Sequence, residues 1–234
     1  MQLRSVALAA FVAASFSAHA DTVALWDYSA TPTSTKHTQS ANGASFAVIG
    51  GVTTSFASGV ANQALNTTTY AAQGAANLTR GVEYDVDTTG STNLGLTFAQ
   101  RNSGTASAWT TLQYTIVGGE TWNFATTYQM PAASSGSFLS GITYDFSNTQ
   151  GVNDNPLFGV QLLASFAPGT STYVATSNGL AGTYGTSGTI RYDNVTFSGT
   201  AIPETAPIPE PQTYALMLAG LAAVGLLARR RRVG

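Results

Sequence analysis

The sequence contains no cysteine, only two histidines and few charged residues, and each scarcity excludes a class of chemistry. Without cysteine there is no disulfide framework and no thiolate nucleophile. A hydrolytic triad needs a base beside its nucleophile, and zinc sites usually need several histidines or cysteines. Past residue 20 the one histidine is His37, in a polar Thr/Ser segment typical of a solvated loop. The sequence therefore predicts a protein that is not an enzyme.

Charged residues make up 9% of the chain, well below the roughly 25% of an ordinary soluble protein. Between residues 21 and 207 there are four basic residues against ten acidic ones, a net charge of −6. A negatively charged surface does not favour binding to nucleic acid or to an anionic membrane. The 24 glycines stand in turn-like segments rather than at a strand-to-helix junction, so no phosphate-binding loop is expected either.

Helical periodicity is lacking in the middle of the chain, where apolar residues alternate along short runs. In the clearest run, 82–87, apolar and acidic residues alternate with a period of two, so we expect the apolar ones to face a core and the acids to face water. Similar stripes lie at 94–98, 112–116, 142–146 and 158–166, with shorter strands at 23–28 and 45–49 and a hairpin turn at Gly118 and Gly119. About nine such strands predict an all-β fold, a two-sheet antiparallel sandwich of jelly-roll type over residues 21–199.

The last strand, 189–197, changes the parity of its apolar residues part-way along. Ile190 and Tyr192 share one face, whereas Val195 and Phe197 share the other. Because a one-residue slip would turn a whole face outward, we expect a β-bulge at Asp193 and Asn194.

Three aspartates, Asp145, Asp154 and Asp193, stand near asparagines in turn-like segments. Short oxygen-bearing side chains of this kind are ligands that calcium prefers. Asx turns use the same residues without a metal. A structural calcium at these aspartates is therefore an alternative to the simple turn interpretation, and no other cofactor is expected.

Both ends of the chain have the character of targeting segments. At the start, a positive Arg4 precedes an apolar run, and Ala18 and Ala20 form the small-x-small pattern before a signal-peptidase cut at Asp21. This predicts a signal peptide over residues 1–20, with a signal helix. A proline-rich linker is expected at 200–208.

Residues 209–234 form the C-terminal tail. Pro209, Glu210 and Pro211 should remain extended and accessible because proline fixes φ and lacks an N–H. The uncharged run 214–228 would span about 22 Å as a helix, against about 30 Å for a bilayer core, so we expect a short, marginal transmembrane helix. The cluster of Arg229, Arg230, Arg231 and Arg232 would fix its orientation with the preceding chain on the far side of the membrane.

The order of Pro-Glu-Pro, apolar segment and arginine cluster resembles the PEP-CTERM sorting signal, also known as the ice-binding-protein C-terminal type of tail. The resemblance implies processing by an exosortase-like enzyme in the inner membrane of a Gram-negative bacterium, and an association with exopolysaccharide and biofilm systems. Segments 94–116 and 190–199 are similar to the jelly-roll-like extracellular domains attached to this tail.

Two classes of function remain open at this point. The first is a non-enzymatic protein of the outer surface or extracellular matrix, exported through a transient inner-membrane intermediate. The second is a polysaccharide-binding module, with a glycan-active enzyme and ice binding ranked below it. For sugar contact we expect Trp109 to be exposed, because Ser, Thr, Gly and Ala lead up to it, and an exposed indole can stack on a sugar ring.

Overall fold

The computed structural model of the chain describes residues 20–29, 39–40, 42–203 and 211–230. The expected signal segment before Ala20, including Ala18, lies outside the described residues. So do His37, most of the linker, and the tail residues Pro209, Glu210, Arg231 and Arg232. The chain divides into two compact units, one ending at Ile202 and one beginning at Pro203, and each is described by itself.

The first unit consists of strands joined by turns. In chain order the strands are β1 (Ala20–Trp26), β2 (Gln39–Ser40), β3 (Ala44–Ile49), β4 (Thr53–Ser58), β5 (Gln63–Thr68), β6 (Gly81–Val86), β7 (Ser91–Asn102), β8 (Trp109–Thr115), β9 (Asn123–Gln129), β10 (Leu139–Asp145), β11 (Phe158–Ser165) and β12 (Ile190–Ala201). Short 3₁₀ turns lie at Ala132–Ser134 and Ala181–Thr183.

These strands form two antiparallel sheets, which confirms the predicted sandwich. The five-stranded sheet has the order β3-β6-β11-β8-β9. The seven-stranded sheet has the order β10-β7-β12-β1-β2, and β5 also pairs with β12 and carries β4 at its other side. Residues distant in sequence therefore become neighbours across both sheets.

Strand β6 shows why the alternating pattern was informative. Val82, Tyr84 and Val86 are at most 1% exposed, whereas Glu83 and Asp85 between them are partly exposed. The prediction of an apolar inner face is confirmed. The acids are less exposed than expected because β6 has neighbours on both sides and β11, next to it, is buried along its whole length.

The expected bulge in β12 is present. The pairing of β12 with β7 shifts register between Asp193 and Thr196, and Asn194 has a positive φ of 49°. The shift lets Tyr192, Val195 and Phe197 all reach the core, where each is fully buried.

Aromatic rings from both sheets meet in the core. The ring of Trp26 lies 4.9 Å from that of Tyr84 and 6.0 Å from that of Phe197, both edge to face. Phe158 lies 5.2 Å from Phe146 and 6.2 Å from Phe197. Edge-to-face pairs of this kind add about 0.5–1.5 kcal/mol beyond their buried area.

The core also contains a buried amide network at one end. The Gln100 Nε2 donates to Asn102 Oδ1 at 2.9 Å, and the Tyr128 hydroxyl donates to Gln100 Oε1 at 2.5 Å. Asn102 in turn donates to the carbonyl of Ser107 at 2.8 Å and to the Thr176 hydroxyl at 3.2 Å. Because these groups satisfy one another, two amides can occupy inward positions on β7 at little cost.

The described residues of the second unit form a helix, α1 (Pro211–Arg230). Proline is well placed at a helix start because its missing N–H has no partner there, and the basic residues Arg229 and Arg230 favour the negative end of the helix dipole. Its described apolar side chains are exposed, among them Leu216, Leu218 and Val224. Within the described residues no helix has both the length and the hydropathy needed to cross a membrane, so the expected transmembrane helix is not supported.

Candidate functional site

The outer face of the five-stranded sheet carries a row of five residues, one from each strand. Register places Ala47, Glu83, Gln161, Gln113 and Phe124 side by side in the order of the strands. We call this set the outer row. Its centre is polar and its end on β9 is aromatic.

Glu83 and Gln161 form the centre of the outer row. Gln161 Nε2 donates to Glu83 Oε2 at 2.7 Å, and Gln161 is only 7% exposed. Burial raises the pKa of the Glu83 carboxyl, the nearby charge of Asp85 raises it further, and the hydrogen bond from Gln161 partly offsets both. Asp85 lies two residues along the same strand face and accepts a hydrogen bond from the Ser45 hydroxyl at 2.9 Å.

Phe124 owes its position to an irregularity that sequence reasoning missed. The pairing of β8 with β9 shifts register between Leu112, which faces Thr126, and Gln113, which faces Phe124. The additional residue, Ala125, packs against the core, and Phe124 is turned outward with 67% of its surface exposed. The apolar spacing of the sequence holds no sign of this bulge.

Trp109 begins β8 on the same outer face, opposite Ser165 on one side and Gln129 on the other. Its ring is partly exposed, while Trp26 is fully buried. Ser107 fixes the strand start, since its hydroxyl donates to the carbonyls of Trp109 and Ser165 at 3.1 and 3.0 Å. Trp109 lies four positions before Gln113 on β8, and Gln113 is the neighbour of Phe124, so the two aromatic ends of the face are about 13 Å apart along the strands.

The structure does not bring the three calcium candidates together. Asp145 caps a turn after β10, where the Ser147 N–H and hydroxyl lower the pKa of its carboxyl. Asp154 accepts from the Gly90 N–H at 2.8 Å. Asp193 lies in the β12 bulge and accepts from the N–H groups of Val60 and Asn194 at 2.7 and 2.8 Å, while burial raises the pKa of its carboxyl. Among the described residues, no three His, Cys, Asp or Glu side chains lie close enough to hold a metal ion.

The C-terminal unit supplies the second candidate site. An exposed apolar helix begins at Pro211 and reaches Arg229 and Arg230, directly after the expected recognition residues Pro209 and Glu210. Residues 207–232 match the family model of the PEP-CTERM protein-sorting motif. The chain carries a PEP-CTERM sorting signal. This motif implies export, processing by an exosortase-like enzyme and delivery to the cell surface or extracellular space.

Comparison of the whole chain adds two findings. No curated protein matches it. Among solved structures there is a weak likeness to the N-terminal endo-1,4-beta-D-xylanase 10B of Clostridium thermocellum, in its CBM22-1 and GH10 modules complexed with xylohexaose. The TM-score is 0.42 at 8% sequence identity, over 70% of this chain and 27% of that chain, so this chain matches about a quarter of that structure's length.

Proposed function

We propose that the chain is a non-enzymatic protein of the bacterial outer surface or extracellular matrix, released from an inner-membrane intermediate by an exosortase-like enzyme. The observation that carries the proposal is the position of the PEP-CTERM motif, which begins at residue 207, shortly after β12 ends at Ala201. A folded sandwich followed directly by a sorting signal is the arrangement of an exported cargo domain. Signal peptidase and the exosortase are then its processing partners.

The side chains of the outer face support a role without catalysis. Glycoside hydrolysis needs two carboxyl groups that face each other across a bound sugar. Glu83 and Asp85 instead lie on one strand and are engaged by neighbouring side chains, Gln161 and Ser45. This arrangement favours binding or packing over proton transfer.

The test is mass spectrometry of the mature C-terminus together with cell fractionation. In the parent we expect the C-terminus to lie within or near the Pro-Glu-Pro segment and the protein to reach the outer surface. Glu210→Ala, or deletion of residues 229–232, should leave an unprocessed protein in the inner membrane. Glu204→Ala is the matched control, an acid next to Pro203 but outside the motif, and it should be processed normally. Surface delivery of the Glu210→Ala protein at the parent's level would refute the proposal.

A second candidate function, binding of a neutral polysaccharide, is favoured by the outer face itself. The amide of Gln113 makes no side-chain hydrogen bond within the described residues and offers hydrogen bonds to sugar hydroxyls, and the rings of Trp109 and Phe124 offer surfaces for stacking at the two ends. Their separation of about 13 Å exceeds one sugar ring, so the ligand would be a chain. Retention of the full chain on immobilised neutral glucans should fall in Trp109→Ala and Phe124→Ala. It should persist in Trp122→Ala, which lies outside the strands. Equal retention of all three variants would exclude the outer face of the five-stranded sheet as the polysaccharide-binding surface.

A further inference from the structure

Two of the four basic residues between 21 and 207 lie directly opposite each other on the seven-stranded sheet. Register pairs Arg191 on β12 with Arg101 on β7. The residues that flank each arginine along its strand, Gln100 and Asn102 on β7 and Ile190 and Tyr192 on β12, are fully buried. Because side chains alternate along a strand, both arginines project from the outer face of this sheet.

Neither guanidinium is paired with a carboxylate in the described part of the chain. Arg101 Nε donates to the carbonyl of Gly136 at 2.7 Å. Arg191 donates from Nε to Asn66 Oδ1 and from an Nη to the carbonyl of Ser58, both at 3.1 Å. Asp193, two residues along the same strand, accepts backbone N–H groups instead. All the acceptors of the two arginines are therefore neutral.

This arrangement is unfavourable in the free protein. Like charges directly opposite each other on paired strands are destabilising. Partial burial lowers the pKa of Arg191, and the charge of Arg101 lowers it further. Residues 21–207 carry a net charge of −6, yet no carboxylate among the described residues pairs with either arginine. An external anion would relieve the repulsion and use the remaining N–H groups.

We infer that Arg101 and Arg191 form an anion-binding site for the carboxylate or sulfate groups of an acidic polysaccharide. A guanidinium presents N–H donors in a planar fork that fits an oxyanion. The same row continues with Asn66, whose Nδ2 donates to the Ser55 hydroxyl at 3.1 Å, so amide and hydroxyl groups adjoin the charges as sugar hydroxyls require.

The arginine pair lies on the seven-stranded sheet, whereas the outer row lies on the five-stranded sheet. Polysaccharide binding by the arginines can therefore be measured on purified protein, independently of whether the sorting signal is processed. The test is affinity electrophoresis of the full chain, purified in detergent, through gels that contain polygalacturonate or neutral dextran. We expect retardation by polygalacturonate only, weaker at higher salt. Arg101→Gln or Arg191→Gln should each lower the apparent affinity about tenfold, and the double variant should abolish it.

Two further variants keep the result interpretable. Arg80→Gln is the matched control, since Arg80 precedes β6 and donates to the Thr69 carbonyl at 2.6 Å, and it should bind as the parent does. Arg101→Lys keeps the charge with least disturbance of the fold and should give an intermediate affinity. An unretarded parent, or a double variant retarded as strongly as the parent, would overturn the inference. Binding of inorganic sulfate without binding of polygalacturonate would overturn the assignment to a polysaccharide.

Discussion

Gln161 on β11 donates a hydrogen bond to Glu83 on β6, with 2.7 Å between Nε2 and Oε2, at the centre of the five-stranded sheet. The two residues are direct partners in the register of the strands. Burial raises the pKa of this carboxyl, and the charge of Asp85 adds to the effect. The protonation of one surface glutamate is thus linked to the stability of the sheet.

The free energy of unfolding should decrease with pH where Glu83 titrates. Because the pKa of Glu83 is raised in the native state, that state holds the proton more tightly than the unfolded chain does. The stabilisation is fully present below the ordinary pKa of 4.5 and is lost as pH rises through the raised pKa. Glu83→Gln should flatten this part of the profile, measured by urea unfolding between about pH 4 and 7.

Two amide variants show whether the hydrogen bond matters as described. Gln161→Ala removes the donor and should make the loss of stability with pH larger, because the ionised carboxyl loses a stabilising partner. Gln113→Ala alters the same kind of residue in the outer row, and Gln113 makes no side-chain hydrogen bond within the described residues. It should leave the profile unchanged. If the stability of Glu83→Gln fell with pH as steeply as that of the parent, the titration of Glu83 would not be the cause of the pH dependence.

Tyr128→Phe should destabilise the fold by about 1–3 kcal/mol, because it leaves the buried Oε1 of Gln100 without its hydroxyl donor. The measurement is urea unfolding at neutral pH, in which we expect a lower midpoint and an unchanged m-value. Tyr144→Phe is the control. Its hydroxyl lies 3.5 Å from the Ala125 carbonyl on a partly buried side chain, so its loss should cost little. If both variants lost the same free energy of unfolding, the hydrogen bond from Tyr128 to the buried amide network would contribute no more to stability than the weak contact of Tyr144.

The strands that could be predicted are those in which neighbouring residues differ strongly in hydrophobicity or size. β6 and β7 alternate large apolar residues with acids or small residues, and their inner faces followed from that pattern. β4 and β5 were missed because their residues are mostly threonine, serine and other small side chains, which give little apolar signal. Their pairing with each other and with β12 decides their structure instead.

Features of the candidate sites could be predicted from the sequence only where they depend on residues that are close together in the chain. The bulge at Asp193 and the sorting tail both follow from neighbouring residues. The pairing of Arg101 with Arg191 depends on the register of strands 90 positions apart, and the outward turn of Phe124 depends on a bulge. Long-range register is set by the assembled sheets, so short stretches of sequence do not contain it.

Gly81→Ala should strongly destabilise the sandwich, because a Cβ at this position would overlap the carbonyl oxygen of Leu162 on β11 and come within 3.0 Å of the Leu163 Cα. Backbone atoms cannot yield as a flexible side chain can, so we expect a loss at the upper end of about 1–3 kcal/mol or beyond. Gly95→Ala, within β7, is the matched control, since the nearest atom to its Cβ would be the Ser198 Oγ at 3.4 Å. It should be neutral or slightly stabilising, because alanine has fewer unfolded conformations. If urea unfolding gave both variants the same midpoint, the close approach of β6 and β11 at Gly81 would be refuted.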